Sequence, residues 1–360
     1  MKKKVVTVMM ALTLTMGMMA GCGSESDKDQ KPEAAGTVET LEEVAAEIAS
    51  ETTEESTETE PEEEAEAQVE EEAEEEDEEN YETGDAGLDN TRNQDEIGDN
   101  ELLVVSFGTS YNDSRRLTIG AIEQAIEDAF GEDYAIRRGF TSQIIIDHVK
   151  KRDNVSIDNL EEALERAVDN GVKNLVVQPT HLMPGLEYNE MVDAVAGYAD
   201  SFESVSVGRP ILTSDEDFEK VMKAITEATA EYDDGKTAIC FMGHGTEADS
   251  NRVYAQMQQL LTDNGYANYF VGTVEATPSV EDVLALVKEG DYTRVILEPL
   301  MIVAGDHANN DMAGDEEDSW KSVFEAEGYE VECLIRGLGE LPAIQDILVD
   351  HAKEAIESPE

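Results

Sequence analysis

The chain has 360 residues, of which 84 are Asp or Glu and 25 are Lys or Arg, so its formal net charge at pH 7 is −59. A charge of this sign and size repels phosphate backbones and anionic membrane surfaces, so nucleic acid and acidic lipid headgroups are poor partners. The residues that follow the acidic N-terminal stretch suffice for one large domain or for two small halves that share a cleft.

Residues 1–22 are typical of a bacterial lipoprotein signal peptide. Three lysines at positions 2–4 precede an apolar run that ends in Ala20-Gly21-Cys22. A charged start, a short apolar core and small residues before a cleavage point describe a secretory signal. We predict that Cys22 is lipidated and that the protein is exported, anchored by lipid on the outer face of the cytoplasmic membrane or in the periplasm. An ordinary signal peptide with an incidental cysteine is the alternative.

Residues 23–100 are dominated by Glu, with Ser, Thr and Ala, and include acidic runs such as Glu74–Glu79. Such a composition buries too little apolar surface to fold, and its charges repel one another. We predict a disordered acidic tether that holds a folded region away from the membrane. A role in gathering cations is the alternative.

From residue 101 onward, short β-rich runs alternate with stretches of helical period. The predicted strands are 102–107, 134–140, 174–178, 204–207, 237–242, 269–273, 294–298 and 329–335. Several of them are continuous apolar runs, which are typical of strands buried on both faces of a parallel sheet. The alternation predicts an α/β fold built from βαβ units.

The two parts of this region resemble each other. Gly108-Thr109 ends the first predicted strand, Gly243-His244-Gly245 ends the fifth, and an arginine follows each of these loops. We therefore predict two similar doubly wound halves, residues 101–232 and 233–360, each with a four-stranded parallel sheet and with a cleft between them. In open α/β sheets the ligand lies beyond the carboxyl ends of the strands, so the chemistry is expected in these loops.

Three strand ends of the second half each carry a side chain that can bind a metal, namely His244, Glu275 and His307. Strand ends of a parallel sheet lie along one edge, so the three side chains can converge on one point. Two imidazoles and one carboxylate with open coordination positions suit Zn, Co, Fe or Ni. Each residue taken alone could be a packed or capping residue, but the joint pattern favours a metal site.

Two further features of the second half leave alternatives open. The sequence from Gly243 to Ala248 fits a loose dinucleotide-binding pattern, but a large imidazole follows its first glycine and no ribose-binding acid is clearly placed, so we expect no nucleotide. Cys240 and Cys333 lie in apolar runs and are expected to be buried, although the sequence does not show whether they are bridged.

The chain resembles the anaerobic sirohydrochlorin cobaltochelatases, which are class II tetrapyrrole chelatases of the cobalamin pathway. The matching segments are Phe107-Gly108-Thr109-Ser110-Tyr111, Phe140-Thr141-Ser142, Phe241-Met242-Gly243-His244-Gly245, Gly272-Thr273-Val274-Glu275, the long run from Ala304 to Asp315, and Asp318-Ser319-Trp320-Lys321. They occur in order from about Glu101 to the C-terminus. The resemblance identifies the chain as a member of this family.

The resemblance implies a lyase that inserts Co²⁺ into sirohydrochlorin with release of two protons; Fe²⁺, Ni²⁺ or Zn²⁺ are the other metals that fit. It implies that His244, Glu275 and His307 bind the metal and carry the catalysis. The residues then expected to contact the tetrapyrrole are Ser106, Gly108, Thr109, Ser110, Arg115, His181 and Glu187. For His181 and Glu187 a structural role in their loop is the alternative.

An exported location is unexpected for an enzyme of an intracellular pathway. The alternative function is therefore a non-catalytic, lipid-anchored protein that binds metal, haem or another tetrapyrrole for uptake. The sequence leaves the oligomeric state open, a homo-oligomer included.

Overall fold

The computed structural model describes residues 83–358. The signal peptide, the lipidated Cys22 and most of the acidic tether lie outside the described residues and remain predictions. Within the described region, none of the helices combines the length and the apolar character that a bilayer span requires.

Between residues 83 and 358, eight strands form two four-stranded parallel sheets. The first sheet has the order β2-β1-β3-β4 and contains β1 (Asn100–Ser106), β2 (Ala135–Phe140), β3 (Asn174–Pro179) and β4 (Ser204–Val207). The second has the order β6-β5-β7-β8 and contains β5 (Thr237–Gly243), β6 (Tyr269–Thr273), β7 (Arg294–Pro299) and β8 (Glu330–Cys333). The predicted fold class is confirmed.

Helices cover the sheets, which explains why the central strands are continuous apolar runs. The α-helices of the described region are α1 (Asn112–Leu117), α2 (Ile119–Phe130), α3 (Gln143–Asp153), α4 (Leu160–Asp169), α5 (Leu186–Tyr198), α6 (Asp215–Ala228), α7 (Arg252–Asp263), α8 (Val280–Val287), α9 (Trp320–Ala326) and α10 (Pro342–Glu357). Residues 102–105 of β1 are fully buried, as are residues 238–242 of β5. β1 and β5 are interior strands of their sheets, so the loops that follow them lie away from the sheet edges.

The last helix of the chain connects the two halves. α10 follows β8 of the second sheet, but it packs against α2, α6 and β3 of the first half. His351 on α10 is buried, and its Nε2 and Nδ1 lie 3.1 Å from Asp217 Oδ1 and 3.1 Å from the carbonyl oxygen of Arg209. The predicted second half, residues 233–360, thus includes a helix that lies on the first sheet.

The segment that precedes β1 is folded, so the predicted disordered tether is wrong for residues 83–99. Asp89 forms ion pairs with Arg115 and Arg138, and Arg92 forms ion pairs with Glu123 and Glu127. Asp89 and Arg92 are almost completely buried. The acidic composition of this segment did not predict that it folds, because its order depends on single ion pairs with distant residues and not on an apolar run.

The two cysteines of the described region are free thiols. Cys240 on β5 and Cys333 on β8 both stand opposite Leu297, one on each side of β7. Two strand spacings separate them by roughly 10 Å, which exceeds the distance that a disulfide bridges. Burial raises the pKa of both thiols, that of Cys333 to about 11.

Candidate active site

His244, Glu275 and His307 lie together at the carboxyl edge of the second sheet. Their loops follow β5, β6 and β7, and one ligand atom from each residue lies within 4.8 Å of the other two. The His244 and Glu275 side chains are about half exposed, at 48% and 54%, and His307 is 32% exposed. The structure therefore brings together the three residues that the sequence selected for a metal site, and it leaves them open to solvent.

The His244 loop is shaped by close contact with Tyr254 of α7. A Cβ atom placed on Gly243 would lie 2.1 Å from the Tyr254 ring, so only glycine fits there. The Tyr254 hydroxyl accepts a hydrogen bond from the Gly245 N–H at 3.3 Å, and Gly245 has a φ of +94°, which favours glycine. Burial raises the pKa of Tyr254 to about 12, so this hydroxyl stays protonated at neutral pH.

The ring of His244 has a defined tautomer. Its Nδ1 lies 2.8 Å from the carbonyl oxygen of Gly245. A carbonyl oxygen only accepts, so in the neutral ring Nδ1 carries the proton and the lone pair lies on Nε2. That Nε2 is 3.8 Å from Glu275 Oε1, a separation that a bound cation could bridge.

Glu275 is tied to the same loop through its backbone. Its N–H donates to the carbonyl oxygen of His244 at 2.9 Å, and the preceding Val274 N–H donates to that of Gly243 at 3.0 Å. The loops that carry the imidazole and the carboxylate are therefore one hydrogen-bonded unit.

In the third loop, His307 immediately precedes a short π-helix, Ala308–Met312. Such π-helical turns are frequent at functional sites. The His307 ring meets the His244 ring edge to face, with 4.6 Å between ring centroids. Its Nδ1 lies 2.8 Å from Asp311 Oδ2. Burial lowers the pKa of His307, but the hydrogen bond and the charge of Asp311 outweigh it and raise the pKa above its ordinary value.

The loop that follows β1 of the first half, and helix α1 after it, pack against the His307 loop. Ser114 Oγ accepts a hydrogen bond from the Ala304 N–H at 3.0 Å, and Tyr111 Oη lies 3.5 Å from Asp306 Oδ1. Burial raises the pKa of Asp306. Phe107, at the end of β1, is 51% exposed and presents an apolar surface at the carboxyl edge of the first sheet.

Three residues expected to contact the tetrapyrrole are packed closely against their neighbours in this region, and their contact with the tetrapyrrole stays a prediction. Ser106 is buried and its hydroxyl accepts a hydrogen bond from Thr180 Oγ1. Gly108 has a φ of +109°, and a Cβ there would lie 2.6 Å from the Phe140 ring. Thr109 is buried against Gly305. The close packing around these three positions explains why small residues occur at the end of β1.

Arg115 is also placed differently from the expectation. Its guanidinium is fully buried and donates to Asp89, to Asn112 and to the carbonyl oxygen of Thr109. The side chain therefore has no exposed atom with which to meet a substrate carboxylate. An arginine that closely follows a strand-end loop can stabilise that loop or bind a ligand. The sequence alone does not distinguish these two roles.

Ser110, His181 and Glu187 complete the expected set. Ser110 is partly exposed, and its carbonyl oxygen accepts a hydrogen bond from Arg152. Both ring nitrogens of His181 are buried without a hydrogen-bond partner among residues 83–358, and burial lowers its pKa to about 4. Glu187 is exposed on the first turn of α5, close enough to His181 to oppose that shift.

Sequence reasoning missed Tyr254 and Asp311. Nothing in the pattern of α7 marks Tyr254, because its role depends on the absence of a side chain at Gly243. Asp311 did carry a signal, since it follows His307 by four residues, but it stands in an acidic run that the sequence favours as a solvated helix start, with a role in guiding cations as the alternative.

The two halves and their strand-end loops give the chain a chelatase-like fold. It is similar to SirB from Bacillus subtilis, whose structure was solved with Fe³⁺, with a TM-score of 0.52 and 15% sequence identity. The match covers 72% of this chain and 96% of SirB. At this identity the similarity shows the fold alone.

Sequence comparison identifies the family. The model of the cobalt chelatase (CbiK) family matches residues 100–357. The chain is 36% identical over 255 residues to the sirohydrochlorin cobaltochelatase of Salmonella typhimurium, a match that covers 71% of this chain and 96% of the relative. It is 28% identical over 257 residues to the sirohydrochlorin cobaltochelatase CbiKC of Nitratidesulfovibrio vulgaris, covering 71% and 90%. The chain belongs to the cobalt chelatase family and is a tetrapyrrole metal chelatase.

Proposed function

We propose that this protein is a sirohydrochlorin cobaltochelatase, which inserts Co²⁺ into sirohydrochlorin and releases two protons. The observation that carries the proposal is the cluster of His244, Glu275 and His307, whose ligand atoms lie within 4.8 Å of one another in a member of this family. The names of the relatives from Salmonella typhimurium and Nitratidesulfovibrio vulgaris support the choice of metal and tetrapyrrole.

The chemistry requires a site that both holds a metal and receives protons. Co²⁺ replaces the two pyrrole N–H protons of the macrocycle, so the free base and one cation become one metal complex and two protons. Each imidazole of the site has one nitrogen engaged by an acceptor and the other, Nε2, free to bind the cation. The Glu275 carboxylate supplies negative charge to the cation at the same point.

The imidazoles also serve as proton acceptors once the cation leaves them. A neutral imidazole can accept a proton from a pyrrole N–H and pass it on to water. The exposure of His244 and Glu275 gives those protons a route to solvent. The exposed ring of Phe107 at the facing strand end offers an apolar contact for the macrocycle.

A visible-absorbance assay tests this function. The full chain is mixed with Co²⁺ and sirohydrochlorin, and the rate of the spectral change is compared with the uncatalysed rate and with those of His244→Ala and His307→Ala. Catalytic turnover that is lost in both variants supports the chelatase. Insertion by His307→Ala at the wild-type rate would remove the metal site from the mechanism.

We further propose that the protein is exported and anchored by lipid at Cys22. The motif Ala20-Gly21-Cys22 after a short apolar run supports this location. An exported location also favours a second candidate function, that of a non-catalytic receptor for metal or tetrapyrrole. A stoichiometric spectral shift without turnover in the same assay would favour the receptor. Incorporation of labelled fatty acid that is lost in Cys22→Ser tests the anchor.

A further inference from the structure

We infer that Asp311 is a positioning residue for His307, which it orients so that Nε2 of the ring faces the metal. This inference rests on the proposed function for the identity of His307 as a metal ligand. It adds a residue outside the cluster of His244, Glu275 and His307, whose ligand atoms lie within 4.8 Å of one another.

The contact is short and local. Asp311 Oδ2 lies 2.8 Å from His307 Nδ1, and the two residues are four apart along the turn that opens with His307 and continues as the π-helix Ala308–Met312. This spacing places the two side chains on the same side of the turn. Both side chains are partly buried, at 32% and 42% exposure, which limits competition from water.

The chemistry of the contact fixes the tautomer. A carboxylate only accepts hydrogen bonds, so His307 Nδ1 carries the proton and donates it to Asp311. The lone pair that can bind a cation is then confined to Nε2. Carboxylates that hold the second nitrogen of a metal-binding histidine fix the ring orientation and increase its strength as a ligand.

The neighbouring carboxylate, Asp306, does not substitute for Asp311. Asp306 Oδ1 accepts a hydrogen bond from Asn310 Nδ2 at 2.6 Å and lies 3.5 Å from Tyr111 Oη. These contacts hold it towards the loop of the first half. On the other side of the site, His244 Nδ1 donates to the neutral carbonyl of Gly245, so the two imidazoles of the site have partners of different charge.

The chain offers a matched control in Asp315. It follows Asp311 by four residues in the same acidic stretch, it is 96% exposed, and it forms an ion pair with Lys321 Nζ at 2.7 Å. Replacing Asp315 by Ala removes the same charge from the same region without touching His307. Any effect of general negative charge on an approaching cation is therefore measured by this variant.

The first test observes the tautomer without metal or tetrapyrrole. In the full chain labelled with ¹⁵N-histidine, the ring of His307, assigned by comparison with His307→Ala, is expected to show the Nδ1–H form at a pH where the ring is neutral. Asp311→Ala is expected to shift this ring towards a mixture of tautomers, whereas Asp315→Ala leaves it unchanged. A His307 ring that keeps the wild-type signals in Asp311→Ala overturns the inference.

The second test measures Co²⁺ binding alone, by titration of the full chain without sirohydrochlorin. Asp311→Ala is expected to weaken binding about 10- to 100-fold, and Asp311→Asn less, because its amide oxygen still accepts from Nδ1–H. Asp315→Ala is expected to bind as the wild type does. Equal losses in Asp311→Ala and Asp311→Asn, or wild-type binding in both, overturn the inference.

These readouts separate the inference from the proposed function. If the wild-type chain binds Co²⁺ but never turns over sirohydrochlorin, the chelatase proposal fails while the role of Asp311 is still decided by the two tests. Should Asp311→Ala unfold, shown by loss of its thermal transition, Asp311→Asn keeps the comparison available, since it preserves an acceptor of the same shape.

Discussion

Asp89 accepts two hydrogen bonds from Arg138, one from Nη1 at 2.7 Å and one from Nη2 at 3.0 Å, although Asp89 precedes the first strand and Arg138 lies in the second. The same carboxylate accepts from Arg115 Nε at 2.7 Å. The family match begins at residue 100, so this ion pair joins the family domain to a segment that lies outside the match. The segment of residues 83–99 is therefore part of the folded unit of this chain.

We expect Asp89→Ala to destabilise the folded region by about 3 kcal/mol, because it leaves two buried guanidinium groups without this carboxylate. Arg138 retains Glu123, at 2.7 and 2.8 Å, which keeps the loss at the lower end of the range for buried pairs. Urea unfolding of Asp89→Ala and of the wild type measures this loss of stability. Asp99→Ala, which removes an exposed ion pair with Lys173 from the same segment, is the control and is expected to change nothing measurable.

A chain that begins at residue 100 is expected to lose at least as much stability as Asp89→Ala. It lacks both Asp89 and Arg92, and with Arg92 the ion pair to Glu123 at 3.1 Å. Equal unfolding midpoints for the shortened and the full chain would show that residues 83–99 only rest on the surface.

The stability of the folded region should depend on pH through Glu101. Its side chain is fully buried in β1, neither carboxylate oxygen has a hydrogen-bond partner within residues 83–358, and Arg137 Nη1 is 3.7 Å away. Burial raises the pKa of Glu101 to about 7, although the charges of Arg137 and Arg166 oppose the shift and that of Asp158 adds to it. The folded state therefore prefers the protonated form of Glu101.

The sign of the effect follows from proton binding. Between pH 4.5 and 7 the folded state holds a proton on Glu101 that the unfolded state has released, so the free energy of unfolding falls as pH rises through this window, by up to about 3 kcal/mol. Glu101→Gln is always neutral and is expected to remove this part of the slope, with Arg137 still paired to Asp158 at 2.8 Å. Urea unfolding at intervals from pH 5 to 8 tests it; parallel curves for variant and wild type would contradict the assignment.

Much of the fold was accessible from the sequence, because buried parallel strands have a pattern that few other structures share. The strand at 269–273 was predicted with its observed ends, and that at 174–178 differs by one residue. The three metal-capable residues were found for a related reason. Each lies in the loop that follows such a strand, and parallel strand ends share an edge, so the sequence predicts that the three side chains meet in space.

The rest depended on contacts between residues that are distant in the chain. The burial of Arg115 requires Asp89, and Asp89 lies in a segment whose composition indicates disorder. The path of α10 back to the first half depends on His351 and Asp217, which no local period connects. Where a residue acts through one partner far along the chain, a single sequence does not reveal the pairing.

The contact between His351 and Asp217 is expected to stabilise the fold without affecting the metal site. His351→Ala removes two hydrogen bonds, each 3.1 Å long, and leaves a cavity under α10. The free energy of unfolding is expected to fall by about 3 kcal/mol. Co²⁺ binding should be unchanged below the unfolding temperature, because α10 packs on the first half and the metal-capable cluster belongs to the second. Lys353→Ala, on the exposed side of the same helix, is the control and should not alter the unfolding midpoint. A loss of Co²⁺ affinity in His351→Ala would show that the two regions are coupled.

Gly243→Ala is expected to damage the metal site through the backbone. The added methyl group would lie 2.1 Å from the Tyr254 ring, so the end of β5 or the ring must move, and His244 is the next residue along the chain. A displacement of about 1 Å at a reacting group can reduce activity on the order of 100-fold, and a comparable fall in cobalt insertion is expected, with weaker Co²⁺ binding. Gly197→Ala on α5, where a Cβ meets no atom within 4 Å, is the matched control and should leave both quantities unchanged.

The double variant Gly243→Ala/Tyr254→Ala distinguishes a displaced loop from a general loss of folding. Removing the Tyr254 ring gives the new methyl group room, so Co²⁺ affinity should recover in part relative to Gly243→Ala, although the hydrogen bond from the Gly245 N–H to the Tyr254 hydroxyl is lost. Titration with Co²⁺ of both variants and of Tyr254→Ala alone completes the cycle. If Gly243→Ala binds Co²⁺ as tightly as the wild type, the close contact between Gly243 and Tyr254 does not set the position of His244.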